Sequence, residues 1–416
     1  MKKTPPEHAK PRYFPIHENE LTAGGKKVST LKLLAGQTPF YVYDRSVILD
    51  KIAIFRQHIP SRISLHYAMK ANPHPAIVQF LGRQVEGLDV ASQKEMLVAL
   101  NSGVPANEIS FAGPAKTAVE LSSAVAAGIV INVESKTELD RVIAIGKAIN
   151  LMPKIAFRVN PNFELKSSGM KMSGGPKQFG IDAECLPEII SELDHDAVDF
   201  KGFHIFSGSQ NLKPESLIDA HNKTFELAAH LASFSTKKLE KLNIGGGFGI
   251  PYFPGEKYLD IKPVGENLKQ LLTEYESTFD GTEIIIELGR YLVGESGLYV
   301  CEVTDKKVSR GQTYLMTDGG LHHHLSNSGN FGQVIRKNYP VAIANKMNSD
   351  ENSTFENEVV NIVGPLCTPL DIVADKMQLP QADIGDLVAV YQSGAYGATA
   401  SPRGFLSHPD VIEIIV

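Results

Sequence analysis

The stretch Ile63-Ser64-Leu65-His66-Tyr67-Ala68-Met69-Lys70-Ala71-Asn72-Pro73 decides how the rest of the chain reads. From Ile63 to Met69 the side chains alternate as on a strand, and Pro73 forbids its continuation. Lys70 is thereby left at the tip of an apolar strand. A lysine is solvent-seeking, and from such a position it can snorkel to water. The chemical alternative is a buried amine, its pKa lowered by desolvation, that serves as a Schiff-base partner for a carbonyl compound. What the later strands place around that amine decides between the two.

From this strand onward a unit repeats: an apolar, often β-branched run, a small-residue turn, then a helical pattern. Candidate strands centre near Leu65, Leu88, Ser110, Ile131, Phe157, His204, Asn243 and Ile286. Three of the intervening helices open with a capping-box signature, Ser92 to Glu95, Thr117 to Glu120 and Ser135 to Glu138. Eight strands alternating with helices over about 230 positions predict an α/β fold, a parallel (β/α)8 TIM barrel, with an open doubly wound sheet as the alternative.

After Arg290 the rhythm changes. Leu298 to Val308, Gln312 to Thr317, Glu358 to Val363, Asp386 to Gln392 and Val411 to Val416 read as strands without intervening helices, so a C-terminal all-β domain is expected. The polar, Asn- and Ser-rich run Ala344 to Asn357 reads as a loop. Residues 1 to 45 show no helical pattern and end in a strand-like run, Pro39-Phe40-Tyr41-Val42-Tyr43, that matches the β domain. The expected organisation is an N-terminal arm over 1–45, a barrel over 46–292 and a β domain over 293–416.

A length of 416 residues fits a barrel plus a smaller domain. The net charge of -6 is spread without long single-sign runs, which excludes the footprint of a nucleic-acid or anionic-membrane binder. Three distant cysteines, Cys185, Cys301 and Cys367, argue for a reducing compartment rather than a disulfide framework. Met1 to Phe14 has no apolar core of signal-peptide length, and no later run approaches a membrane span. A cytoplasmic protein is expected.

In a barrel the chemistry sits at the C-terminal ends of the strands, with phosphate held after strands seven and eight. Lys70 ends strand one, Asp89 strand two, and His204 with Ser207 strand six. Gly245-Gly246-Gly247 follows strand seven, and Glu287-Leu288-Gly289-Arg290 closes strand eight. The glycine loop lets backbone N–H groups approach an anion without Cβ obstruction, although a tight structural turn would look the same. It is not a dinucleotide fingerprint, because Ile250 and Pro251 stand where a third glycine and a helix should follow. Arg290 can bind the same phosphate or a substrate carboxylate. Glu287 ends a very apolar strand and demands a partner: a protonated pyridine nitrogen, or an arginine in a buried salt bridge. His204 can stack on such a ring or hydrogen-bond within the core. For His322-His323-His324, read as strand residues on alternating faces with no carboxylate or cysteine at ligand spacing, no metal site is expected.

The motifs Tyr67 to Asn72, Gly87 to Ser92, Arg158-Val159-Asn160-Pro161, Gln178-Phe179-Gly180-Ile181, the His204 segment, Gly245 to Gly247, Glu287 to Arg290, Cys367 and Gly394-Ala395-Tyr396-Gly397 stand in an ordered series. From about Phe40 to the C-terminus, that series resembles the pyridoxal-phosphate decarboxylases of the alanine-racemase fold, among them diaminopimelate and ornithine decarboxylases. The resemblance implies pyridoxal 5'-phosphate as cofactor, with Lys70 as its Schiff-base lysine, His204 on the pyridine face and Glu287 at the ring nitrogen. It further implies phosphate contacts from Ser207, Gly245, Gly246, Gly247, Gly289, Arg290 and Tyr396, with Asp89 also at the cofactor. It implies a homodimer with shared active sites, in which the partner subunit's Cys367 protonates the carbanion left by decarboxylation.

The chain departs from those relatives where they read the substrate's far end. After the cysteine they carry Glu or Asp; here the run is Leu366-Cys367-Thr368-Pro369-Leu370-Asp371. Thr368 cannot pair with a distal ammonium, a loss of about 2 to 5 kcal/mol for a cationic tail. Asp371 offers a shifted anion that could still contact one, and Arg290 remains for a carboxylate. Phe206 replaces a usual glycine and Leu288 a usual proline, which reshapes the pocket. The Cys-Thr-Pro form resembles a subgroup in specialised pathways, most similar to the decarboxylases found beside exosortase-type export systems. That points to a small-molecule or carrier-bound amino acid, with free diaminopimelate as the alternative and a non-catalytic cofactor-binding regulatory homologue as a reading from another class.

Overall fold

Strands Ile63–Ala68, Gly87–Val90, Ile109–Phe111, Val130–Val133, Lys154–Asn160, Asp199–His204, Lys241–Asn243 and Glu283–Leu288 pair in parallel, each with the next. The eighth returns to the first, with Ile286 opposite Leu65 and Glu287 opposite His66. The barrel is therefore closed, and the open sheet is excluded. Its strands read as apolar runs rather than alternations because helices cover the outside while side chains fill the inside. Leu65, Leu88, Ile131, Phe157 and Ile286 are all fully buried, each contributing about 1.5–3 kcal/mol.

The three helix starts share one feature and differ in another. Ser92, Thr117 and Ser135 each accept a hydrogen bond from the N–H of the glutamate three residues on. Of the three, Thr117–Glu120 is the reciprocal box. Glu95 and Glu138 reach one residue further back, to the N–H groups of Ala91 and Glu134, both at 2.7 Å. Glu138 keeps its other oxygen for Lys116 Nζ at 2.9 Å, a buried ion pair.

This computed structural model describes residues 6–164, 170–330, 333, 336–348 and 355–416, and of Met170 and Lys171 the backbone alone. The chain forms two compact units, Ile52–Ile250 with Tyr258–Tyr291, and Met1–Lys51 with Pro251–Lys257 and Leu292–Val416. Residues 1–5 of the amino-terminal start and 349–354 of the expected loop lie outside the described residues.

The second unit is built around the long strand Gly297–Ser309. One half pairs antiparallel with Leu387–Val390 and Phe40–Tyr43, the other with Gln312–Thr317. Val341–Ile343, Asn357–Val363, Ile372–Pro380 and Ile412–Ile415 extend the sheet. Two of these strands were not legible. Val341–Ile343 is too short to show a period, and Ile372–Pro380 is interrupted at Lys376, whose φ is +49°. The arm also differs from expectation: Val28–Ala35 is an α-helix, preceded by the three-stranded sheet of Ile16–His17, Glu20–Ala23 and Lys26–Lys27. Val28 and Leu31 are buried while Leu33 and Leu34 are exposed, which blurs the apolar stripe. No described helix is long and apolar enough to cross a membrane.

Candidate active site

The first barrel strand stops at Ala68, and Met69–Ala71 form a 3-10 turn that carries Lys70. The Tyr67 hydroxyl donates to the Asn72 carbonyl at 2.9 Å and ties the turn down. Lys70 is exposed, as a strand-tip lysine reaching water is and a buried amine is not; it sits on the 3-10 turn beyond the strand. Its Nζ stands 5.3 Å from the centroid of the half-buried Phe206 ring.

Glu287 and His204 end neighbouring regions of the same mouth, both buried, with His204 Nε2 3.1 Å from Glu287 Oε2. Asn243 Nδ2 donates to the same carboxylate oxygen at 3.1 Å. Burial would raise the Glu287 carboxyl, but the neighbouring His204, with Lys70 and Arg158, outweighs burial and holds it down at about 2. An arginine salt bridge, the competing explanation for this carboxylate, is not found among the described residues. His204 Nδ1 is buried without a hydrogen-bond partner among them.

Asn243 also fixes the glycine loop, since its Oδ1 accepts from Gly245 N at 2.8 Å. Gly245 and Gly247 adopt φ of +72° and +84°, and a Cβ on Gly246 would fall 1.9 Å from the Glu287 carbonyl oxygen. The loop must be glycine to lie this close to strand eight. Among the described residues the N–H groups of Gly246 and Gly247 have no acceptor. Ser207 is buried beside the mouth, and Gly289 and Arg290 follow strand eight, Arg290 half-buried. Asp89 Oδ1 accepts from Ser110 at 2.5 Å while its Oδ2 has no partner among the described residues. Below it lies His66, 3.7 Å away; burial lowers its pKa, but the Asp89 carboxylate prevails and raises it.

The remaining predicted residues belong to the second unit. Cys367 is exposed, Thr368 and Tyr396 are half-buried, and Asp371 is 2 % exposed. Asp371 Oδ1 accepts from Leu321 N at 2.6 Å and Oδ2 from Leu366 N at 2.8 Å. Its carboxylate is consumed by backbone, which corrects the expectation that it could meet a distal amine. His322 to His324 lie in a turn, not on a strand, and His323 and His324 reach different partners, Pro409 O and Ser393 Oγ, both at 2.9 Å. Inside the barrel His66, Glu108 and Glu283 offer ligand atoms within 4.8 Å of one another. Lys241 Nζ already bridges the two carboxylates at 2.5 and 2.7 Å, so a cation is in place there.

A family model described as pyridoxal-dependent decarboxylase, pyridoxal binding domain, matches residues 45–294. The chain belongs to the pyridoxal-dependent decarboxylases. It is 36% identical to the L-glutamyl-[BtrI acyl-carrier protein] decarboxylase of Niallia circulans, over 91% of this chain and 89% of that one. It is 32% identical to the 2-[(L-alanin-3-ylcarbamoyl)methyl]-2-hydroxybutanedioate decarboxylase of Staphylococcus aureus, over 92% and 95%. Among solved structures, diaminopimelate decarboxylase from M. jannaschii in complex with L-lysine superposes with a TM-score of 0.86 at 25% identity, covering 98% of this chain and 93% of that one.

The cofactor of this decarboxylase family is pyridoxal phosphate, and the barrel mouth fits it. The acceptor-free N–H groups of Gly246 and Gly247 suit a phosphate, and the unpartnered His204 Nδ1 beside the Glu287 carboxylate suits a protonated heteroaromatic ring. Two groups near the barrel mouth, Asn243 and Arg158, were given no site role in the sequence reading. Asn243 joins Glu287 to the glycine loop, and its position two residues before Gly245 was the available signal. Arg158 is buried, pairs with Glu134 at 2.9 Å and stacks on Phe179 at 4.9 Å. Glu134 also accepts from Gly113 and Gly180, drawing three loops to one carboxylate, a convergence that no local pattern reveals.

Proposed function

We propose that this protein removes the α-carboxylate of an amino acid whose far end carries no positive charge, either a specialised amino acid or an aminoacyl group on a carrier protein. One observation carries the reading. The loop after Cys367 exposes no anion: Thr368 is neutral, its Oγ1 accepting from Leu370 N at 3.3 Å, and Asp371 is 2 % exposed with its oxygens bonded to Leu321 N and Leu366 N. A distal ammonium would be desolvated here without a partner from this loop. The names of the two curated relatives, one acting on a carrier-bound glutamyl group and one on a carbamoyl-linked alanine, support the same class.

In this reading Lys70 Nζ is the amine that holds the cofactor and gives it up to the substrate's amine. Pyridoxal phosphate supplies an electron sink for the pair left when the bond to the carboxylate breaks. Glu287, with its carboxyl held low, keeps a proton on the ring nitrogen, and His204 covers the ring face. Gly246, Gly247, Ser207, Gly289, Arg290 and Tyr396 would hold the phosphate, and Asp89 would complete the cofactor contacts. Cys367 returns a proton to the carbon that lost carbon dioxide. The exposure of Cys367 fits a donor that serves the partner copy in a homodimer. The free state of Cys185, Cys301 and Cys367 supports a reducing cytoplasm.

The test is carbon dioxide release by the cofactor-loaded protein from meso-diaminopimelate, L-ornithine, L-lysine and an L-glutamyl carrier protein. Turnover of the carrier-bound group with silence from the three cationic substrates is expected. Efficient release from diaminopimelate would replace this reading with a role in lysine synthesis.

A further inference from the structure

We infer that Asp371 is a positioning residue, whose buried carboxylate clasps the Gly364 to Asp371 loop and presents Cys367 in one fixed attitude. The inference rests on the reading of Cys367 as the proton donor. Cys367 is exposed and Leu370 is 56 % exposed, so side-chain packing does not hold the crown of this loop. Its base is held by backbone bonds from Gly364 N to Asp371 O at 3.0 Å and from Thr368 N to Leu366 O at 2.7 Å. The Asp371 side chain adds the two bonds that fix direction: Oδ2 takes the N–H of Leu366, the residue immediately before Cys367, and Oδ1 takes the N–H of Leu321 from another segment. The loop is thereby tied at its root to the turn that begins the His322 to His324 run.

Two glycines make room for this carboxylate and for nothing larger. A Cβ on Gly320 would lie 2.2 Å from Asp371 Oδ1, and one on Gly364 2.3 Å from Oδ2. Neither position has the positive φ that would itself call for glycine. At Gly364 the three nearest atoms all belong to Asp371, so the requirement there comes from the carboxylate; at Gly320 the Gly364 Cα, 2.8 Å away, adds to it. An amide cannot stand in for it, because both N–H groups need acceptors and an amide would turn an NH2 toward one of them. Charge-assisted bonds to backbone N–H groups are also the strong kind. Asp371 touches neither substrate nor cofactor in this account; it acts through Cys367.

The experiment is the rate of Cys367 alkylation by iodoacetamide in the pyridoxal-phosphate-loaded protein, with Cys185→Ser removing the other exposed thiol. Asp371→Asn is expected to change that rate about tenfold, as loss of a buried charged hydrogen bond implies, with the cofactor's visible absorption unchanged. Gly364→Ala keeps the charge but displaces the carboxylate, and the same change is expected; it decides the matter if Asp371→Asn loses its cofactor. Rates within about twofold of the parent in both variants, too little for a lost buried bond, would overturn the clasp. Clean turnover by Cys367→Ala, alongside the expected alkylation change in Asp371→Asn and Gly364→Ala, would overturn the donor reading instead.

Discussion

At the barrel mouth His204 Nδ1, Asp89 Oδ2 and the N–H groups of Gly246 and Gly247 have no partners among the described residues. In the second unit Asp371 uses both oxygens on backbone, and His323 and His324 each reach an acceptor or donor. Each buried polar group left unmade costs about 1–3 kcal/mol. Those at the ends of strands two, six and seven gather at one mouth and mark where a ligand completes the structure, whereas the unpartnered His66, His195 and His221 lie apart from it; the satisfied Asp371, His323 and His324 of the second unit mark architecture. Exceptions there are Asn327 Oδ1, Gln392 Oε1 and His322, the last with both nitrogens unpartnered among the described residues and its ring 3.7 Å from that of His323.

The sharpest way to break this contrast is at Lys70. Lys70→Ala should remove the visible absorption of the cofactor-loaded protein and bring decarboxylation below detection. Unchanged absorption would mean that the mouth is not the cofactor site. Next in size is Cys367→Ala, which should retain the cofactor while slowing productive protonation by about 10²–10⁴-fold. Product analysis would show the proton misdirected; full and clean turnover would assign the donor elsewhere.

Glu287→Gln probes the buried pair that Glu287 makes with His204. Removing one partner of a buried pair costs about 3–5 kcal/mol, read in a denaturant melt without added cofactor. The pH dependence has a definite sign. The Glu287 carboxyl is held at about 2, below its unfolded value of about 4.3. Its contribution is thus fully present above the unfolded value and is lost as pH falls toward about 2. The stability gap between wild type and Glu287→Gln should shrink on acidification over that window, and a gap that widens would contradict the pairing. Smallest is Gly246→Ala, expected to cost about 1–3 kcal/mol through overpacking against strand eight and to weaken cofactor retention on dialysis.

Much of the barrel was legible because each strand carries its own apolar run, and the first, second, sixth and eighth carry a polar residue at or beside the C-terminal end. Lys70, Asp89, His204 and Glu287 could be placed from strand ends alone. The exposure of Lys70 could not, since it depends on a 3-10 turn begun at Met69 rather than on strand periodicity. Asp371 misled for a different reason. A lone aspartate after a candidate catalytic cysteine reads as a ligand, whereas its actual partners are two backbone N–H groups, one of them at distant Leu321. Backbone donors leave no trace in composition or spacing. The two missed strands and the Val28–Ala35 helix failed on length, a broken alternation and a mixed exposed face.

The central claim is that the amine of Lys70 carries the cofactor in a mouth built from Glu287, His204 and the glycine loop. Borohydride reduction of the pyridoxal-phosphate-loaded protein, followed by peptide mass analysis, tests it most directly. One phosphopyridoxyl-modified peptide is expected, with the label on Lys70 and absent from Lys70→Ala. A label on any other lysine, or no reducible attachment in a protein that retains the cofactor, would contradict it.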